Sequence, residues 1–308
     1  MPLAPNSGHR KYGFVLKVAT RSADDARVKM SRRSSRKAER REAPTPTLIS
    51  TTPVPEMDLD GAPALVFQPA IDLFTGRLLG FEALLRWHRA DGTDIPPDVL
   101  IPWAEDHGHM NELNAWVLSE ACAQAVRWPS DLQLAVNCSV FQLHRGTAAM
   151  AAASALERTG LNPDRLTVEI TESSVADDDA AADLEVMTRL GIQLTVDDVG
   201  SDWSVLENLR NCVVNTMKID ASLIEGLTAT GGQSRNTVET IIKLCRSLGI
   251  CTVAEAVESA EQVEILREIG VETAQGYFFS PPLTAAEAES LAAMVPHPRF
   301  ALTAPAVQ

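Results

Sequence analysis

The feature that most constrains the fold is an alternation of strand-like and helix-like segments that begins at Ala64. Over about 220 residues, short apolar runs alternate with segments of helical periodicity, which is typical of βα units in a mostly parallel sheet. Eight strands without a long spacer favour a closed barrel over an open sheet. The predicted strands are Ala64–Pro69, Leu78–Arg86, Leu132–Ser139, Leu166–Glu172, Ile192–Asp198, Val214–Asp220, Ile250–Val257 and Thr273–Gly276. The predicted helices include Asn111–Trp128, Thr147–Thr159, Asp178–Leu190, Ser234–Leu248 and Ala260–Ile269.

Charge divides the chain into two parts. Residues 1–57 contain 12 Lys and Arg against 5 Asp and Glu, whereas the remaining residues contain 15 against 36. The first part is basic and rich in proline, so it cannot bury enough apolar surface to fold alone. We therefore expect a disordered tail over residues 1–60, a folded domain over residues 61–296 and a C-terminal tail over residues 297–308.

The same charges limit the partners of each part. The basic tail could contact an anionic surface such as lipid or nucleic acid, or it could simply be solvated. The acidic domain is not expected to bind DNA or RNA, because such binding requires lysine and arginine along many phosphates. No apolar run approaches the ~20 residues of a membrane helix. The five cysteines show no Cys-x-x-Cys spacing. Cysteines without such spacing are typically reduced thiols, so we expect a cytoplasmic protein.

Two adjacent carboxylates lie near the end of the segment Gly191–Gly200, whose pattern is typical of a strand that carries charge at its C-terminal end. Adjacent side chains on a strand point to opposite faces. The pair Asp197 and Asp198 is therefore costly unless a cation compensates for it. One interpretation is that the pair caps a helix beginning near Ser201. The other is a site for one or two divalent metal ions.

Several other predicted strands also present a polar face and an apolar face. Thr167 and Glu169 share one face of their strand, and Thr195 and Asp197 share one face of the next. In a barrel the apolar faces lie under the helices, so the polar faces point to the axis. Polar groups at the C-terminal ends of barrel strands predict a functional site. The polar residues at the same depth on their strands are Glu82, Asn137, Glu169, Asp197, Asp198, Lys218, Glu255 and Gln275.

This set has a definite chemical preference. Its metal-binding candidates carry hard oxygen ligands and include no His or Cys, which favours Mg²⁺ or Mn²⁺ over Zn²⁺ or copper. Two such ions activate water and stabilise the leaving oxygen in phosphodiester hydrolysis. Lys218 among acids stays protonated, so it could orient the water or neutralise charge on phosphate. The alternative for Lys218 is a salt bridge that closes the barrel.

At these positions the chain resembles the EAL-domain family of cyclic di-GMP phosphodiesterases, from about Leu65 to Leu283. Eight motifs occur in the family's order. They are Phe67-Gln68-Pro69, Gly80-Phe81-Glu82-Ala83-Leu84-Leu85-Arg86-Trp87, Val136-Asn137-Cys138-Ser139, Glu169-Ile170-Thr171-Glu172-Ser173, Val196-Asp197-Asp198-Val199-Gly200, Met217-Lys218-Ile219-Asp220, Ala254-Glu255-Ala256-Val257-Glu258 and Gln275-Gly276-Tyr277.

The resemblance implies a TIM-like (β/α)8 barrel with an irregular first strand, and hydrolysis of cyclic di-GMP to linear pGpG with two Mg²⁺ or Mn²⁺ ions. The implied metal ligands are Glu82, Asn137, Glu169, Asp197 and Asp198. The implied catalytic residues are Glu255, Lys218 and Asp198, with Lys218 and Glu255 orienting and deprotonating the attacking water. The implied substrate-binding residues are Gln68, Arg86 and Gln275. From its position alone, Gln68 could instead be a hydrogen bonder at the barrel bottom.

The sequence departs from the family at two places. After the Asp-Asp pair the family usually reads Phe-Gly-Thr-Gly-Tyr-Ser-Ser, a loop that couples dimer contacts to metal binding. Here Asp202 replaces the second glycine and restricts the backbone, while Glu258, the implied anchor of the loop, is present. Ala256 stands where the family has Gly, a mild change if its φ is negative and a strained one otherwise.

These departures leave a second function open. The chain could be a receptor that binds the dinucleotide, or a module that binds a protein partner, with little turnover. The resemblance also implies a homodimer formed near the altered loop Val199–Val205.

Overall fold

The computed structural model describes residues 59–143, 146–175, 177–199, 214–228, 232–294 and 299–302. The basic tail, the loop residues after Val199 and the helix start considered near Ser201 lie outside the described residues. Among the described residues, no helix is both long enough and apolar enough to cross a membrane.

The described residues form ten strands in one sheet, eight of which close into a barrel. The strands are β1 (Ala62–Asp72), β2 (Leu78–His88), β3 (Asp94–Ile95), β4 (Gln133–Asn137), β5 (Leu166–Thr171), β6 (Gln193–Val199), β7 (Thr216–Ile219), β8 (Cys251–Ala254), β9 (Thr273–Ala274) and β10 (Leu283–Thr284). Strand β1 pairs antiparallel with both β2 and β9, whereas β2 and β4 to β9 follow one another in parallel. The predicted TIM-like barrel with an irregular first strand is therefore confirmed.

Two strands that the sequence did not predict lie outside the barrel. Strand β3 pairs with the end of β2, and β10 pairs with β1. Each has only two residues, which is too short to show an alternating pattern. They extend the sheet at the edges of the first two barrel strands without contributing to the closed ring.

Ten α-helices occur in the described residues, and the five predicted ones are among them. They are α1 (Pro97–Asp106), α2 (Met110–Ala125), α3 (Val140–Leu143), α4 (Thr147–Thr159), α5 (Glu172–Val175), α6 (Asp178–Leu190), α7 (Ala221–Glu225), α8 (Gln233–Leu248), α9 (Ala260–Ile269) and α10 (Ala285–Ala292). The sequence analysis did not predict the other five. Helix α1 contains Pro102, which is rare inside a helix, α3, α5 and α7 have five residues or fewer, and α10 has eight.

The core forms between the barrel and its helices. Leu134 and Val136 on β4, and Val168 and Ile170 on β5, are almost fully buried. They alternate with residues that face the barrel interior, most of them polar, as the strand pattern predicts. Trp128, just after α2, packs its ring at 5.5 Å from Phe67 and 4.7 Å from Phe81. The helices thus cover the apolar face, and the polar face is left for the interior.

A buried arginine ties one βα unit to the next. Arg165 ends a short 3-10 turn before β5 and is 8% exposed. Its Nε donates a hydrogen bond to the Leu132 carbonyl at 2.9 Å, and its Nη2 donates to the Ala125 carbonyl at 2.9 Å. Ala125 is the last residue of α2, and Leu132 directly precedes β4. The Ala125 carbonyl also accepts from the Trp128 N–H at 3.1 Å, so the guanidinium adds a second hydrogen bond there and joins the end of α2 to the start of β4.

Replacing Arg165 with Met should lower the free energy of unfolding by about 2–4 kcal/mol, because two buried carbonyls lose charge-assisted hydrogen bonds. Urea denaturation measures this loss. Arg77→Met is the matched control, since Arg77 makes an exposed 3.7 Å ion pair with Asp131, worth about 0–1 kcal/mol. Equal losses for the two variants would contradict the assigned role.

Candidate active site

One lysine lies at the centre of the predicted site. Lys218 on β7 is 1% exposed, and carboxylates from four other parts of the barrel surround its Nζ. The distances from Nζ are 2.6 Å to Glu255 Oε1, 2.8 Å to Glu169 Oε2, 3.2 Å to Glu82 Oε2 and 3.3 Å to Asp197 Oδ2. The C-terminal ends of the strands thus bring these acids to one point.

Two amides complete this cluster. Asn137 at the end of β4 donates from Nδ2 to Glu82 Oε1 at 2.7 Å. Gln275, directly after β9, donates from Nε2 to Glu82 Oε2 at 2.6 Å and to Glu255 Oε1 at 3.1 Å. Glu82 therefore accepts hydrogen bonds from both amides and from Lys218.

The charges in the cluster shift one another's pKa values. Burial lowers the pKa of Lys218, but its four carboxylate neighbours outweigh burial and hold it well above its usual value. Burial, together with the charge of Glu82, raises the pKa of Glu169 well above its usual value. Burial raises the pKa of Glu255 to about 7, although Lys218 opposes the shift. Negative charge exceeds what one ammonium compensates, so the site favours additional cations.

Glu82 behaves differently from the other buried acids. Burial raises its pKa, but the charge of Lys218 and the hydrogen bonds from Gln275 and Asn137 outweigh burial, so its pKa is lowered. Glu82 is thus the buried glutamate of the cluster that its neighbours hold most firmly in the ionised form.

The backbone bends at the Asp-Asp pair. Asp198 has a φ of +59°, and the pairing of β6 with β7 shifts register between Val196 and Val199. Asp tolerates this left-handed conformation better than most residues. Carboxylate oxygens of Asp197, Asp198 and Glu255 lie within 4.8 Å of one another and could hold a metal ion. The expectation that the adjacent side chains point to opposite faces is therefore wrong, because the bend brings both to one rim.

Of the predicted substrate-binding residues, Gln275 belongs to this cluster and Gln68 lies level with it. Gln68 on β1 pairs in register with Glu82 and is buried, and its Nε2 donates to the Ser280 carbonyl at 2.6 Å. It is therefore level with the acids and not at the barrel bottom. Arg86 follows Glu82 by four residues on β2 and donates to the Leu85 carbonyl. Among the described ion pairs, none involves Arg86.

Glu258, the implied loop anchor, lies just before α9. Its backbone N–H donates to Gln262 Oε1 at 2.8 Å. The loop that Glu258 would hold falls in residues 200–213, outside the described residues, so the anchoring stays a prediction.

Two threonines lie beneath the acids. The sequence analysis placed them on the inward faces of their strands but assigned them no function. Thr167 and Thr195 line a cavity that reaches up to Glu169 and Lys218. The sequence signal that could have identified them is their position, because each threonine stands two residues before an acid of the cluster.

The sequence model of the EAL domain matches residues 60–282. The chain belongs to the EAL domain family. Among relatives in this family, the cyclic di-GMP phosphodiesterase NbdA of Pseudomonas aeruginosa is 34% identical over 231 residues, which are 73% of this chain and 29% of NbdA. The oxygen sensor protein DosP of Escherichia coli is 37% identical over 229 residues, which are 72% of this chain and 28% of DosP. The chain thus spans less than a third of the length of these relatives.

A solved EAL structure supports the same assignment. The phosphodiesterase of MucR, in complex with c-di-GMP, superposes with a TM-score of 0.70 at 32% identity, covering 73% of this chain and 93% of that one. The likeness extends over nearly the whole of that solved chain, which confirms the EAL barrel as the fold of this domain.

Ala256 is strained in this EAL domain. Its φ is +48°, in the left-handed region that favours glycine. The sequence left two cases open for this position, and the positive φ selects the strained one. This strained residue directly follows Glu255, and such strain is common at functional sites.

Ala256→Gly should raise the free energy of unfolding by about 1 kcal/mol, because glycine adopts the left-handed region without the steric cost of a Cβ. Thermal denaturation measures the gain. Ala182→Gly on the exposed face of α6 is the control, and it should lower stability by about 1 kcal/mol. A loss of stability in both variants would rule out strain at Ala256.

Proposed function

We propose that this EAL domain hydrolyses cyclic di-GMP to linear pGpG with two Mg²⁺ or Mn²⁺ ions. The observation that carries the proposal is the position of Lys218 Nζ, 2.6–3.3 Å from four carboxylates at the C-terminal rim of the barrel. The names of NbdA and of the MucR complex support this substrate.

The donor set fits hard divalent cations. Every side chain proposed as a ligand offers a carboxylate or amide oxygen, which Mg²⁺ and Mn²⁺ prefer. Bound ions would activate water and stabilise the leaving oxygen. Glu82, Asn137, Glu169 and Asp197 would hold one ion, and Asp197 with Asp198 would reach the second. Glu255 lies close enough to this pair to contribute an oxygen as well.

The chain's own residues would move the protons. Ring opening adds water to one phosphorus and breaks its bond to a ribose oxygen, so the water loses a proton and the ribose oxygen gains one. Glu255, with a pKa of about 7, is suited to accept the proton from water near neutral pH. Lys218 would stay protonated and stabilise charge that develops on the phosphate. Gln275 holds the Glu255 carboxylate through its amide.

Substrate would be held beside the acids. Arg86 makes no described ion pair, so its guanidinium can bind a phosphate of the dinucleotide with charge-assisted hydrogen bonds. The Nε2 of Gln68 donates a hydrogen bond to the Ser280 carbonyl. Its Oε1 is therefore the atom that can accept a hydrogen bond from the substrate.

A receptor with little turnover is the second candidate. The observation that favours it is the strained backbone at Ala256, directly after the carboxylate proposed as base. The homodimer, the cytoplasmic location and the contacts of the basic tail stay predictions from the sequence.

The full chain should convert cyclic di-GMP to pGpG with Mg²⁺ or Mn²⁺, and Glu82→Gln or Lys218→Ala should lower kcat/KM by about 100-fold or more. Chromatography of the nucleotides measures the product. Glu185→Gln, an exposed acid on α6, should leave the rate unchanged. Binding of the dinucleotide without pGpG in either metal would favour the receptor, and equal rates in all variants would reject the site.

Affinity for Mn²⁺ should rise with pH between about 5.5 and 7.5. Metal ligands must be deprotonated, and burial raises the pKa of Glu255 to about 7 and that of Asp198 above its usual value. Each proton displaced steepens the dependence by about tenfold per pH unit below that pKa. Calorimetric titration in two buffers of different ionisation heat measures the protons released. Glu255→Gln should flatten the profile, and a pH-independent affinity in the parent chain would contradict the prediction.

A further inference from the structure

The barrel interior contains a cavity directly below the carboxylate cluster. Its upper wall is formed by Glu82, Glu169, Lys218 and Gln275, and Gln133 lies on its lower wall. The remaining lining residues are Ala70, Phe81, Ala135, Thr167, Thr195 and Val253. TIM barrels usually fill this layer with branched apolar side chains, so the small and polar residues here need a reason.

Small residues on one side of the barrel leave the space open. Ala70 and Ala135 line the cavity, and Gly80 lies between them on β2, in register with Ala70. A Cβ on Gly80 would lie 2.3 Å from the Gln133 carbonyl oxygen, so the close approach of β2 to β4 admits only glycine.

Threonine hydroxyls face the interior from the other side. Thr167 on β5, Thr195 on β6 and Thr216 on β7 are each 1% exposed. Among the described residues, none of their three Oγ1 atoms has a hydrogen-bond partner. Valine would fill the same volume without a buried hydroxyl, so packing alone does not account for threonine on three neighbouring strands.

The carboxylate cluster above the cavity contains more hydrogen-bond acceptors than Lys218 can satisfy. An ammonium has three N–H donors, but four carboxylates lie within 3.3 Å of Lys218 Nζ. Glu169 receives its described side-chain hydrogen bond from Lys218. A water below the cluster could donate to Glu169 and accept from a threonine hydroxyl, which satisfies both groups.

We propose that this cavity binds ordered water through the hydroxyls of Thr167 and Thr195, the two threonines that line it, and that this water positions Lys218 and Glu169 from below. Water is the ligand that fits, since a buried water needs two to four polar partners and the threonines and the acids supply them. Thr167 and Thr195 are then positioning residues. Binding of the water does not rest on the proposed hydrolysis, whereas its effect on kcat does.

The test compares the full parent chain with Thr167→Val/Thr195→Val. A high-resolution crystal structure should show ordered water between the threonines and Glu169 in the parent, and none there in the double variant. With cyclic di-GMP, kcat should fall about tenfold while KM stays within about twofold, as for outer partners of a reactive cluster. Thr195→Ser, which keeps the hydroxyl, should retain the parental kcat.

Thr252→Val is the matched control. Thr252 is buried on β8 and pairs in register with Met217, on the outward face of the barrel. It should change neither the cavity water nor kcat. If the double variant does not fold, Thr195→Val alone replaces it in both measurements.

A dry cavity in the parent would overturn the proposal, and so would an unchanged kcat in a double variant that has lost the water. If the parent makes no pGpG, the proposed function fails separately. The positioning role is then measured by Mn²⁺ affinity, which should be about tenfold weaker in the double variant. Equal Mn²⁺ affinity would reject that role.

Discussion

The rest of the site depends on the ion pairing of one buried ammonium with several buried carboxylates. Removing charges from water is costly unless partners compensate for them. Lys218 compensates for part of the charge of Glu82, Glu169, Asp197 and Glu255. Burial, together with the negative charge that stays uncompensated, raises the pKa values of Glu169 and Glu255. Polar donors at the same rim, Asn137 and Gln275, supply hydrogen bonds that the lysine cannot. Protein groups alone thus hold the cluster together, but the cluster still carries excess negative charge. Excess negative charge on oxygen ligands is the condition under which hard cations bind.

The barrel supplies the geometry that this pairing needs. The acids come from strands far apart in the chain, since Glu82 and Lys218 are 136 residues apart. They meet because the parallel strands end at the same rim, and because β1 closes the ring by pairing antiparallel with both β2 and β9. Closure brings Glu82 on β2 to 2.6 Å from Gln275 after β9. The irregular first strand is therefore part of the site's construction.

The sequence predicted which side chains point inward, but not how they pair. Alternation of polar and apolar residues is a local property, so the positions of the barrel strands along the chain, the long helices and the inward face of Glu169 and Asp197 could be derived from it. The two-residue strands and the shortest helices have no period to detect. The bend at Asp198 was missed because its local sequence fits a regular strand, and the irregularity depends on the register of β6 against β7. The hydrogen bonds around Lys218 likewise depend on barrel closure, which no local pattern encodes.

Two non-glycine residues with left-handed backbone, Asp198 and Ala256, both lie at the rim of the site. Strain of this kind persists where neighbouring structure holds it. Around Ala256, the Val257 N–H donates to the Gln275 carbonyl at 3.1 Å, and the Gln275 N–H donates to the Ala254 carbonyl at 2.9 Å. Gly276 makes this close approach feasible, because a Cβ there would lie 2.2 Å from the Val257 backbone. The turn at Ala256 thus holds the segment after β8 against the segment after β9. In this arrangement Gln275 donates a hydrogen bond to Glu255, and Glu255 lies 2.6 Å from Lys218.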